Sequence, residues 1–63
     1  MIATVKSLNP IRLQVRRSSR TESVYHTAAN QTLLTSLQVG DRVNVRRVAN
    51  VPYLVVDSRE SDR

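Results

Sequence analysis

Between residues 11 and 16 the chain reads Ile-Arg-Leu-Gln-Val-Arg, apolar and polar in strict alternation. An extended strand points successive side chains to opposite faces, so Ile11, Leu13 and Val15 share one face and Arg12, Gln14 and Arg16 the other. The same two-residue period returns at Val43-Asn44-Val45, with Arg42, Asn44 and Arg46 turned outward. A helix needs apolar residues at three- and four-residue spacing, and only Leu33, Leu34 and Leu37 offer anything close. The chain is therefore expected to be all-β.

Turn residues divide the strands. Ile2 to Leu8 makes a first strand, and Asn9-Pro10 a turn into the second, because proline fixes φ and brings no N–H to a ladder. Arg17 to Thr21 has no apolar residue and reads as a loop. A third strand follows over Glu22 to Ala28, with Val24 inward, and Ala29 to Val39 holds a single helical turn or an apolar loop. Gly40, the only glycine, stands where a tight turn before the next strand needs positive φ, and Asp41 beside it is suited to accept from backbone amides. Pro52 to Val56 forms the last strand, with Pro52 at its start and Tyr53 in the core. Asp57 to Arg63 is polar and expected to fray. The pattern predicts one domain over residues 1–57 and a polar tail over 58–63. Its architecture is expected to be a small five-stranded barrel, OB-like or Src-homology-like, with at most one short helical turn.

A domain of this length buries only about 60% of the surface its unfolded chain exposes. The core must come from eighteen Val, Leu and Ile residues, since Tyr25 and Tyr53 are the only aromatics. Small domains compensate with disulfides, a metal or association. With no Cys and a single His, association is the expected support, and no cofactor is expected. No run approaches the ~20 apolar residues of a membrane span. Met1 to Lys6 lacks the basic start and apolar run of a signal peptide. A soluble product of the cytoplasm, without membrane or small-molecule partners, is expected.

Catalysis requires converging groups in a water-excluding pocket. His26 could act with Ser23 or Asp41, yet nothing around them forms a nucleophile elbow, and a surface imidazole is the simpler reading. One carboxylate at Asp41 makes no metal site, and one glycine makes no phosphate loop. The chain is not expected to be an enzyme.

The formal charge is +5. Residues 1–56 hold eight Lys/Arg against two acids, whereas residues 57–63 hold three acids against two arginines. The alternation puts Lys6, Arg12, Arg16, Arg42 and Arg46 on the outer face, as an Arg-rich surface for acidic protein or a phosphate backbone, or simply a solvated face. Single-stranded nucleic acid is disfavoured by the want of Phe and Trp, because bases stack on aromatic rings.

Two segments together resemble a known group. Ala3-Thr4-Val5-Lys6-Ser7-Leu8-Asn9-Pro10-Ile11-Arg12-Leu13-Gln14-Val15 is similar to the opening hairpin of small OB-like proteins and domains from tailed-phage tail and baseplate modules. Leu37-Gln38-Val39-Gly40-Asp41-Arg42-Val43 and Tyr53-Leu54-Val55-Val56-Asp57-Ser58-Arg59 resemble their closing part, in the same order. The likeness spans about forty residues; 18–36 lie outside it, and Ala49-Asn50 stands where those proteins often carry a glycine pair, so a looser connection or bulge is expected there. The resemblance implies a virion structural protein of the tail, baseplate or head-to-tail connector, made in the host cytoplasm. Its implied partners are other virion proteins and further copies of itself, with a small basic nucleic-acid-binding barrel as the alternative.

Overall fold

The computed structural model describes residues 1–60. The elements are β1 (Ile2–Leu8), β2 (Ile11–Val15), β3 (Thr21–Ser23), α1 (Gln31–Thr35), β4 (Arg42–Arg47) and β5 (Leu54–Arg59). Their order across the sheet is β3-β2-β1-β4-β5, with every ladder antiparallel. The first three strands form a meander and β4 returns to lie beside β1, which is a Greek-key connection. No helix among the described residues is long and apolar enough to cross a membrane.

The alternating pattern builds the core. Ala3 and Val5 of β1, Leu13 of β2, Val43 and Val45 of β4, and Leu54 and Val56 of β5 all face inward and are buried. Cross-strand register sets Val5 against Leu13, and Val45 against Val56. The segment after β3 adds Leu34 and Leu37 to the same cluster, with Leu33 packed against it. Each such side chain contributes about 1.5–3 kcal/mol on burial.

The Gly40 turn is built from backbone and Asp41 together. Gly40 has φ +96°, Asp41 N–H donates to Gln38 O at 3.0 Å, and Gln38 N–H donates to Asp41 Oδ2 at 2.9 Å. Asn9 and Pro10 connect β1 to β2, and Ser7 Oγ donates to Pro10 O at 3.0 Å.

Four expectations are corrected. The sheet has five strands and one short helix, but it is not closed into a barrel. Its outer strands meet at one parallel bridge, Val24 to Leu54, with Tyr25 N–H donating to Leu54 O at 2.8 Å. The reason lies in Asn30, the one buried polar residue among those described. Its side chain donates to Tyr25 O at 3.2 Å and accepts from Thr27 N–H at 3.0 Å, taking the backbone that a longer β3 would have used. The third strand therefore ends at Ser23 rather than Ala28, and it begins at Thr21, which is not in the loop.

The last strand and the tail also differ. β5 starts at Leu54 and runs through Asp57, Ser58 and Arg59, so residues 58 and 59 belong to the domain. Ladder pairing depends on backbone groups: Ser58 lies opposite Asn44 and Arg59 opposite Val43, and Asn44 Nδ2 donates to Ser58 Oγ at 3.0 Å. Of the rest of the expected tail, Glu60 N–H donates to Arg42 O at 2.9 Å, and residues 61–63 lie outside the described residues. Tyr53, expected in the core, precedes β5 and is 45% exposed. At Ala49-Asn50 the looser connection is present: residues 48–53 link Arg47 to its partner Leu54, with Asn50 at φ 66° and Val51 N–H donating to Val48 O at 3.1 Å, and the β4–β5 register shifts separately at Asn44/Val45.

Candidate functional site

The charge is divided by position along the chain. Residues 1–21 contain Lys6, Arg12, Arg16, Arg17 and Arg20 and no acid. Residues 22–60 contain Arg42, Arg46, Arg47 and Arg59 against Glu22, Asp41, Asp57 and Glu60. The net charge of the chain therefore sits in its first third.

The fold turns this bias into two different surfaces. In the second set, Arg42 Nε lies 2.9 Å from Glu60 Oε2, an ion pair without hydrogen-bond alignment, and Arg46 Nε donates to Asp57 Oδ1 at 3.0 Å. Arg47 makes a bidentate pair with Glu22 at 2.8 and 2.7 Å, tying β4 to β3 beside the single bridge. That hydrogen-bonded guanidinium holds the Glu22 carboxyl below its ordinary value, and Glu22 in turn raises Arg47. Arg59 Nη2 donates to Ser36 O at 3.0 Å. Of the residues expected on the Arg-rich outer face, Arg42 and Arg46 are exposed but paired, because the acids of β5 and Glu60 lie beside them.

The first set has no such partners. Among the described residues no ion pair engages Lys6, Arg12, Arg16, Arg17 or Arg20. Lys6 is exposed where the β1–β2 register shifts. Arg12 is half-buried on β2, and its Nη1 donates to Ser23 Oγ at 2.6 Å while its Nη2 donates to Thr21 O at 3.1 Å. Those acceptors are neutral, and the one carboxylate that feels Arg12 is Glu22, which is already paired to Arg47. Arg16 and Arg17 lie in the β2–β3 turn, where Ser18 N–H donates to Val15 O at 2.9 Å and Gln14 Nε2 donates to Ser18 O at 2.6 Å. Arg16, Arg17, Thr4, Gln14 and Arg42 border a shallow pocket of about 380 Å³ on the face away from the core.

An aromatic groove lies at the other end of β3. Tyr25 and Tyr53 are 37% and 45% exposed, and with Pro10, Ile11, Ser23 and His26 they line a groove of about 450 Å³. Pro10, Ile11 and His26 also border a wider cleft of about 800 Å³ whose apolar lining includes Leu8, Leu34 and Leu37. Tyr25 is held at both backbone groups, its N–H on Leu54 O and its carbonyl on the Asn30 side chain. Ser23, one wall of the groove, is the residue that receives Arg12.

The structure thus assembles Arg12, Tyr25, Tyr53 and His26 at one end of β3 and Arg16 and Arg17 at the other. Lys6 lies on neither lining, and Arg46, paired with Asp57, borders a separate hollow whose rim Tyr25 also reaches. Asn9, Pro10, Gly40 and Asp41 occupy turns, and Pro10 alone of these borders the aromatic groove. Sequence reasoning missed Arg17 and Arg20 and set Tyr53 in the core; the acid-free opening of the chain was the visible signal for the arginines. No protein-family model, curated protein or solved structure matches this chain.

Proposed function

We propose that the chain is a structural assembly protein of a tailed-phage virion, in the tail, baseplate or head-to-tail region, acting by protein–protein contacts and not by catalysis. The observation that carries this reading is the open seam between β3 and β5. Beyond the Val24–Leu54 bridge, no ladder engages the outer edges of these strands among the described residues. Edge strands of this kind pair with strands of neighbouring chains. The resemblance of the Asn9-Pro10 hairpin and the Gly40-Asp41 segment to phage tail and baseplate modules supports the placement. The small aliphatic core supports it independently, since neighbours in a symmetric assembly bury surface that a chain of this size cannot bury alone.

Light scattering and thermal unfolding over a wide concentration range test the reading. The expected result is a mass that is a multiple of 7.1 kDa and a Tm that rises with concentration, because association stabilises the folded state by mass action. A monomer with one Tm at every concentration counts against it.

A further inference from the structure

We infer that the face running from the β2–β3 turn along Arg12 to Tyr25 and Tyr53 binds single-stranded nucleic acid. This goes beyond the assembly reading and does not rest on it. Two requirements of such a surface are a track of positive charge for the backbone and aromatic faces for unstacked bases. Arg16, Arg17 and Arg20 supply unpaired cations in the β2–β3 connection, and Arg12 supplies another on β2, fixed by Thr21 and Ser23. At the far side of Ser23 the groove opens between the exposed rings of Tyr25 and Tyr53, with His26 beside them. Its volume, about 450 Å³, lies within the range of small-ligand sites.

The arrangement also discriminates among polyanions. A duplex keeps its base faces stacked, so it could use the arginines and leave both tyrosines idle. An acidic polypeptide likewise satisfies cations without requiring a stacking face. Only an unpaired strand uses both halves of the surface at once. Tyr25 is prepared for this by its backbone: the Leu54 carbonyl and Asn30 amide hold its main chain on both sides while its ring remains exposed.

The chain has no Trp and only these two tyrosines, so its intrinsic fluorescence reports directly on the proposed site. The probe is fluorescein-labelled oligo-dT of about twelve nucleotides, long enough to span a small domain, read by anisotropy, with unlabelled oligo-dT for tyrosine quenching. Expected are saturable binding, quenching of tyrosine emission, and a log–log salt slope of about −0.7 per phosphate neutralised. Tyr25→Ala and Tyr53→Ala should each weaken binding about 5- to 100-fold. Tyr25→Phe should retain it, because the ring and not the hydroxyl does the stacking. The double variant Arg16→Glu/Arg17→Glu should weaken binding and flatten the salt slope. Circular dichroism checks that each variant is folded. Absence of binding, or equal affinity for a duplex of the same length, overturns the inference. So does displacement by polyglutamate with the tyrosine variants unaffected, which would assign the face to an acidic protein.

Discussion

The opening third of the chain and the β4–β5 hairpin carry similar numbers of cations, five in residues 1–21 and four in residues 42–59, but use them differently. In the hairpin, Arg42, Arg46 and Arg47 each meet a carboxylate within 3.0 Å, and Arg59 is tied to Ser36. In the opening third no acid is present, and Arg12 is fixed by hydroxyl and carbonyl oxygens, with only Glu22, already paired to Arg47, near its charge. Exposed ion pairs add little stability, so the main physical effect of the pairing is to remove field from that side of the molecule. The field that remains surrounds the β2–β3 connection. Similar composition therefore gives a neutral fastening in one region and a binding surface in the other.

The two regions should be alike where they share the core. Leu13→Ala and Leu54→Ala, one from each side, should both cost about 2–5 kcal/mol in denaturant unfolding, because each removes a fully buried side chain. In a domain of this size either loss is enough to unfold much of the population. A large difference between them would show that the halves do not unfold together.

Charge reversal separates the regions next. Arg16→Glu/Arg17→Glu should elute from a cation-exchange matrix at much lower salt than the parent, whereas Arg42→Glu/Arg46→Glu should shift elution less, despite the same formal change. Equal shifts would dissolve the contrast, because unscreened and paired cations would then be equivalent.

Backbone strain gives a finer test. Gly40→Ala places a side chain at φ +96°, in open space, and should cost about 1 kcal/mol from conformation alone. Arg17 sits at φ 72° in the left-handed region that disfavours a Cβ. Arg17→Gly should therefore raise stability by up to about 1 kcal/mol, after the added chain entropy of glycine is set against relieved strain. The same variant should bind polyanions less well, showing that the turn keeps a cation at some cost in stability.

The smallest effect concerns Glu22, whose carboxyl is held below its ordinary value by Arg47. Its stabilising contribution is present above the unfolded value of about 4.5 and is lost as pH falls through the depressed folded value. Glu22→Gln should lower Tm by about a few degrees at most at neutral pH, with the difference vanishing in acid. A difference that persists in acid would mean that packing, and not charge, holds β3 to β4.

Strands, inward faces and the Gly40 turn were legible because they follow from neighbouring residues. Alternation of Ile11 to Arg16 sends Leu13 inward whatever surrounds it, and a lone glycine before Asp41 marks a turn by backbone sterics. The bias of residues 1–21 was equally open to counting. Tyr53 was not, because Pro52-Tyr53-Leu54-Val55-Val56 is apolar throughout and its pattern does not say which phase faces the core. A shift of one residue exchanges the faces, and pairing of Leu54 with Arg47 chose the phase that exposes Tyr53.

The sequence by itself determined a small β domain with an aliphatic core, five strands, and an excess of positive charge confined to its opening third. Tertiary structure alone decided which cations stay unpaired, since the register shift at Asn44/Val45 and the course of β5 bring Asp57 and Glu60 beside Arg46 and Arg42. It also left the sheet open, because Asn30 takes the backbone carbonyl of Tyr25. These outcomes depend on contacts between residues eleven or more positions apart, in the Arg46–Asp57 pair and beyond, or on a side chain competing for a ladder. Local pattern carries no information about either.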